Sequence, residues 1–234
     1  MHVDLIIPAA GSGRRMGGDQ NKLFLAIGTR TVFHYTMKHI SQLELSGRLI
    51  IVCKPQEQEL LNAQIDGINF GELELVWLAG GVERADSVRN GLSYILDQPG
   101  APVVMTHDAA RPFVTKKLIE TLMGALNSHA AAVPALEVAE TTRRLLENGK
   151  TEVVDRNHLY LTQTPQAFLM ERVRDVFFSS HILNTQKTDE ASYFEASGVP
   201  VALVKGDPRN IKLTRPDDLR LAEAYLPTFH VDEP

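Results

Sequence analysis

Short apolar runs alternate with helical patterns along most of this chain, and that alternation limits its fold more than any other feature. Val3–Pro8, Leu49–Cys53, Leu73–Leu78 and Pro102–Met105 read as strands. Thr31–Leu43, Gln56–Ile65 and Arg84–Leu96 read as the helices between them. Thr115–Asn127 adds a helix and Ala130–Pro134 a strand. This βαβα order predicts a mostly parallel α/β sheet with helices on both faces. Ligands of such sheets bind outside the carboxyl ends of the strands. A chain of 234 residues fits one such domain, residues 1–234.

The pattern breaks after Pro134. Glu137–Leu146 and Thr151–Val154 are β-branched and charged, and Glu147-Asn148-Gly149-Lys150 separates them. Asn-Gly is a strong hairpin signal. The spacing predicts a β-hairpin arm, about residues 137–158, leaving the body of the domain. An isolated hairpin is marginal in water, so a second subunit is the expected support. The body resumes with Leu159–Gln163, a helix near Leu169–Ser179, another near Asp189–Ser197 and a strand over Pro200–Val204. The last helix spans Pro216–Tyr225, with Pro216 at its start and Asp217 and Asp218 in its first turn, as helix N-termini favour.

The first strand runs straight into a basic glycine loop, Pro8-Ala9-Ala10-Gly11-Ser12-Gly13-Arg14-Arg15-Met16-Gly17, followed by Lys22. Small residues at Ala9, Ala10, Gly11 and Gly13 let a base, ribose or phosphate approach the backbone. Successive N–H groups in such a turn form an anion site, and Arg14, Arg15 and Lys22 add full charge. No Gly-Lys-Ser/Thr exists, so this is not a P-loop. Met16 stands where a dinucleotide fingerprint needs its third glycine, and Thr29 to Lys38 holds no carboxylate for a ribose. The reading favoured over an ordinary strand-to-helix turn that happens to carry glycine is a nucleoside triphosphate site, because a plain turn does not require three cations after a buried strand.

Three further segments follow strands. Thr106-His107-Asp108-Ala109-Ala110-Arg111-Pro112 places Asp108 where a carboxylate holds a metal, a ribose hydroxyl or a substrate hydroxyl. His107 reads as structural. Gly80-Gly81 precedes a helix start, with Ser87 one turn in and within reach of a base edge. Lys212, in Asn210-Ile211-Lys212-Leu213-Thr214, reads as a lysine inside a short strand, at either a site or a solvated edge. No nucleophilic triad or glycosidase-type carboxylate pair stands out, which suits a phosphoryl or nucleotidyl transfer run by positioning and charge.

A net charge of -5 argues against broad nucleic-acid binding. Cys53 is the single cysteine and falls in an apolar run, so neither a disulfide nor a thiol-based metal set can form in one chain. No run approaches the roughly 18 apolar residues of a membrane span. A cytoplasmic protein without a membrane partner is expected.

Taken in order, these segments resemble the 2-C-methyl-D-erythritol 4-phosphate cytidylyltransferases of the non-mevalonate isoprenoid pathway. The resemblance also covers Asp155-Arg156-Asn157, Gln163-Thr164-Pro165-Gln166-Ala167-Phe168 and Thr188-Asp189-Glu190-Ala191-Ser192. It implies a single-domain, three-layer Rossmann-like fold of the nucleotide-sugar pyrophosphorylase type and a homodimer formed by exchanged β-arms. It implies transfer of CMP from CTP to methylerythritol phosphate, with Mg²⁺ or another divalent cation carried mainly by the triphosphate. Arg15, Lys22 and Lys212 would act on the CTP phosphates. Ala9, Ala10, Gly81 and Ser87 would surround cytosine and ribose. Asp108, Arg111, Thr164 and Thr188 would line the acceptor pocket, and the partner's Thr141 and Arg156 would reach into it. In the arm, Glu137-Val138-Ala139-Glu140-Thr141-Thr142-Arg143 departs from the proline, Asp-Thr and Lys usual there. Ribitol-phosphate cytidylyltransferases share much of the pattern, so another polyol phosphate is an alternative acceptor. A nucleotide-binding module without turnover is a further alternative.

Overall fold

A computed structural model describes residues 1–11, 21–98, 100–178 and 187–229. The glycine-loop residues Ser12, Gly13, Arg14, Arg15 and Met16 lie outside the described residues.

The strands are β1 (Val3–Pro8), β2 (Ala26–Ile27), β3 (Arg30–Thr31), β4 (Ser46–Cys53), β5 (Glu72–Ala79), β6 (Val103–Thr106) and β7 (Ala131–Glu137). They continue with β8 (Thr142–Leu145), β9 (Thr151–Val154), β10 (Tyr160–Thr162), β11 (Gln166–Leu169) and β12 (Val201–Lys205). The helices are α1 (Val32–Ser41), α2 (Gln58–Gln64), α3 (Arg84–Asp97), α4 (Lys116–Ala125), α5 (Met170–Phe177), α6 (Ala191–Ala196) and α7 (Pro216–Tyr225).

The main sheet runs β10-β7-β11-β6-β1-β4-β5, and β12 pairs with β7. β5, β4, β1 and β6 are mutually parallel, as are β7 and β12. The stretch that becomes β10 and β11 runs antiparallel to β7, and β11 is also antiparallel to β6. The result is a mixed, mostly parallel sheet. β11 was not expected from the sequence: its four residues lie in a stretch read only as part of a motif. Between β10 and β11 the chain turns at Gln163-Thr164-Pro165, where the Thr164–Pro165 peptide is cis. That turn faces the carboxyl end of β6.

Alternation along the strands builds the layers. Leu5 and Ile7 of β1, Leu49 and Ile51 of β4, and Val103 and Met105 of β6 face one core, with Phe33, Met37 and Ile40 of α1 and Ile119 and Leu122 of α4. Ile6, Ile50, Val52 and Val104 face the other, with Val88, Leu92 and Ile95 of α3, Val173 and Val176 of α5 and Phe194 of α6. α1 and α4 begin at the caps Thr31 and Thr115, whose hydroxyls accept the His34 and Leu118 N–H groups.

The arm is present as the β8–β9 hairpin, a separate two-stranded sheet. Arg143, Leu145, Thr151 and Val153 share one face by register, and Leu145 and Val153 are 72% and 60% exposed there. Lys212 does not lie in a strand. The Asn210 N–H closes a turn on the Asp207 carbonyl, and the Leu213 N–H donates to Ala110 O, so this segment is tied to the loop after β6 rather than to a sheet edge.

Candidate active site

The loops that leave the carboxyl ends of β1, β4, β5 and β6 are stitched together. Ala9 N–H donates to Val52 O at 2.8 Å, Gly80 N–H to Cys53 O at 2.7 Å and His107 N–H to Ile6 O at 2.9 Å. Ala9 and Ala10 are buried, whereas Gly11 is exposed. A Cβ on Gly80 would run into the Ala10 methyl, and one on Gly81 into Asp86, so these glycines serve close approach. Ser87 Oγ accepts the Gly81 N–H at 3.2 Å and donates to Glu83 O at 3.3 Å. The Ser87 hydroxyl therefore holds the glycine turn in this structure.

Asp108 is the electrostatic centre. It is buried just beyond β6. Its Oδ1 accepts from Arg84 Nε at 2.8 Å. Its Oδ2 accepts from Lys212 Nζ at 2.8 Å and from Arg111 Nε at 3.4 Å. Burial alone would push the Asp108 carboxyl up; Arg84, Lys212 and Arg111 reverse this and hold it far below the usual carboxylate range. Burial pushes the Arg111 guanidinium down, against the pull of Asp108. Burial would also lower Arg84, but Glu190 and Asp108 raise it. Lys22, in the short 3₁₀ turn Lys22–Phe24, donates to Leu213 O at 2.9 Å, the carbonyl next along the chain from Lys212.

Neutral polar groups lock this loop. Arg111 Nη1 donates to Asn210 O at 2.8 Å, and Asn210 Nδ2 donates to Thr164 O at 2.8 Å. Asp108 N–H donates to Thr164 Oγ at 3.0 Å. Burial pushes His107 down to about 4, so its ring is neutral near pH 7. Its Nε2 lies 3.0 Å from Arg111 O, which only accepts, so Nε2 carries the proton. Nδ1 then accepts from the Thr164 hydroxyl at 3.3 Å. His107 is structural, as its sequence position suggested.

The structure therefore gathers Lys22, Asp108, Arg111, Thr164 and Lys212 in one connected cluster, beside Ala9, Ala10, Gly81 and Ser87. Thr188 is exposed, two residues before Glu190. Thr141 and Arg156 lie in the arm region, both exposed. Arg156 Nη1 donates to Ala139 O, and no hydrogen bond or ion pair among the described residues joins either to Asp108. Arg15 and Gly13 lie outside the described residues. Sequence reasoning missed Arg84 and Glu190 as site residues, although both sit inside segments that it singled out. The signal was Arg84 itself: a cation in the first turn of α3 opposes the helix dipole and needs another partner.

Among the described residues no three His, Cys, Asp or Glu side chains gather into a metal cage. The Asp108 and Glu190 carboxylates are both engaged by cations. No helix among the described residues is long and apolar enough to cross a membrane.

The profile of the 2-C-methyl-D-erythritol 4-phosphate cytidylyltransferase family matches residues 3–228. Proteins of that name from Syntrophotalea carbinolica and Bacillus mycoides are similar. The first is 37% identical over 97% of this chain and 97% of its own length. The second is 35% identical over 95% and 96%. Among solved structures, 4-diphosphocytidyl-2C-methyl-D-erythritol synthase from Anaerococcus prevotii superposes with a TM-score of 0.80 at 26% identity, over 97% of this chain and 98% of that one. The cytidylyltransferase from Thermus thermophilus superposes with a TM-score of 0.73 at 32% identity, over 96% and 98%.

Proposed function

The chain belongs to the 2-C-methyl-D-erythritol 4-phosphate cytidylyltransferase family, and we propose on that premise that it transfers CMP from CTP to 2-C-methyl-D-erythritol 4-phosphate. The products are 4-diphosphocytidyl-2-C-methyl-D-erythritol and pyrophosphate. The observation that carries this reading is the 210–214 segment beside the carboxyl end of β6, where the Leu213 carbonyl accepts from Lys22 and the Lys212 ammonium pairs with Asp108.

The reaction is a direct displacement. An oxygen of the acceptor phosphate attacks the α-phosphorus of CTP; that P–O bond forms as the bond to the β-phosphate bridge breaks, and pyrophosphate leaves. A phosphate monoester has its second pKa near 6, so the nucleophile is already anionic and needs no protein base. The barrier is the approach of two anions and the charge that grows at phosphorus. Lys22, Lys212 and Arg15 offset both. Ala9, Ala10, Gly11, Gly13, Gly81 and Ser87 frame the nucleoside, with close-packed small residues giving the base access to backbone groups. Asp108, Arg111, Thr164 and Thr188 form the acceptor side, where the ionised Asp108 suits a polyol hydroxyl. A divalent cation, Mg²⁺ or another, would supply charge neutralisation on the triphosphate when bound.

The arm completes the proposal. Its exposed Leu145 and Val153 suit burial against a second copy, giving a homodimer with exchanged arms that carry Thr141 and Arg156 to the neighbouring acceptor site. The enzyme works on two small molecules in the cytoplasm, without nucleic acid or membrane.

Pyrophosphate release measured with CTP and a panel of polyol phosphates tests the reading. Methylerythritol phosphate should be used best. Preference for ribitol 5-phosphate reassigns the acceptor, and no release with any member of the panel leaves a nucleotide-binding module.

A further inference from the structure

Arg84 lies between two carboxylates. Its Nη1 and Nη2 reach Glu190 Oε1 and Oε2 at 2.6 and 3.0 Å, while its Nε reaches Asp108 Oδ1 at 2.8 Å. Glu190 is 2% exposed, and Thr106 Oγ1 donates to its Oε2 at 2.7 Å. The turn that carries Glu190 is itself pinned. Gln166 of β11 accepts the Ala191 N–H at 3.0 Å through Oε1 and donates to Asp189 at 2.9 Å through Nε2. The path Thr106–Glu190–Arg84–Asp108 thus starts and ends at the carboxyl end of β6.

A buried carboxylate beside a triphosphate site works against anion binding unless it has another task. Glu190 touches neither lysine of the cluster in any hydrogen bond or ion pair seen among the described residues; its partners are Arg84 and Thr106. Its effect on chemistry therefore passes through Arg84. Arginine suits this position because its planar fork can hold one carboxylate with two N–H groups and a second with Nε, which a lysine ammonium cannot.

We infer that Arg84 and Glu190 form a positioning pair for the acceptor site: Glu190 clamps the Arg84 guanidinium, and Arg84 fixes the Asp108 carboxylate with Oδ1 occupied and Oδ2 turned toward Lys212 and Arg111. The inference rests on Asp108 belonging to the acceptor site. With Glu190 neutralised, Arg84 loses its bidentate partner and competes with Lys212 for both oxygens of Asp108, so the acceptor loses its oriented contact while the nucleotide side stays in place.

Steady-state kinetics of Glu190→Gln and Arg84→Lys test this, with thermal melting run alongside. Both variants should raise the acceptor KM about tenfold and leave the CTP KM within about twofold. The double variant Arg84→Met/Glu190→Gln removes the ion pair altogether. It should recover melting temperature relative to Glu190→Gln, because no buried cation is left unpartnered, yet keep the high acceptor KM. Recovery of the acceptor KM together with the melting temperature would show a structural brace only and overturn the inference. So would an unchanged acceptor KM, or equal rises for both substrates. If the unmodified enzyme releases no pyrophosphate with methylerythritol phosphate, the functional reading itself fails. Activity of the unmodified enzyme with unchanged constants in the variants defeats the positioning pair alone.

Discussion

Asp108→Asn separates the two halves of the site by sign. The carboxylate is shared by Arg84, Lys212 and Arg111. Replacing it with an amide turns an N–H₂ group toward at least one of these cations. Breaking a buried ion pair by removing one partner costs about 3–5 kcal/mol. The Arg84 and Lys212 side chains keep 29% and 32% exposure, so water shares the load. The lower end, about 3 kcal/mol, is therefore expected. That is a large part of a typical domain's stability of about 5–15 kcal/mol, yet it leaves the chain folded at 25 °C. The acceptor loses a charge-assisted hydrogen bond worth about 1.5–3 kcal/mol, so its KM should rise roughly tenfold to a hundredfold. CTP responds differently: deleting a negative charge beside Lys212 makes the site more positive, so triphosphate binding should hold or tighten. Urea unfolding, calorimetric titration with CTP and pyrophosphate release measure the three effects. CTP affinity that falls in step with acceptor affinity, or an unchanged unfolding free energy, would refute the placement of Asp108.

Further outcomes follow from the titrating groups and the arm. Burial pushes His39 and His107 down to about 4, so the unfolded chain binds more protons once pH falls below about 6.5. Stability should decline from pH 6.5 toward 4 by up to about 1.4 kcal/mol per pH unit for each ring, measured by urea unfolding across that window; a flat profile would contradict the burial. Asp108 acts with the same sign at lower pH, since its depressed carboxyl contributes stability that is lost only as pH falls below the ordinary carboxylate range. Lys22→Ala should lower turnover by about 10² or more, the scale of losing one preorganised charge. With exchanged arms, a mixed dimer of Lys22→Ala and Arg156→Ala chains places both defects in one site, so it should regain about half the activity of the unmodified dimer. No recovery would mean that each arm serves its own subunit.

Much of this molecule is legible from local pattern. Val3–Pro8 and Pro216–Tyr225 form the strand and helix that the sequence delimits, because apolar periodicity and capping residues act over a few residues. The Asn148-Gly149 hairpin forms for the same reason, with Gly149 at φ +77°. Most other elements match to within a few residues at their ends, where fraying and capping compete. β11 escaped because its pairing is set by β6 and β7 on either side, and four residues carry too little period to announce an antiparallel strand in a parallel sheet.

The site divides along the same line. The residue types and their order along the chain establish a cytidylyltransferase of this family, since small residues, cations and one acidic strand end carry the chemistry wherever the fold puts them. What only the tertiary structure decided is which charges meet. Arg84, Asp108, Glu190 and Lys212 come from four separate segments, and the sheet alone brings them within hydrogen-bond reach. Lys212 reads as a strand residue in isolation, but the backbone on either side of it, at Asn210 and Leu213, is held by the loop after β6 and its ammonium by Asp108. Sequence pattern reports periodicity, which is local. Ion pairing depends on distances of a few ångströms between residues a hundred positions apart, and only the packed sheet sets those distances.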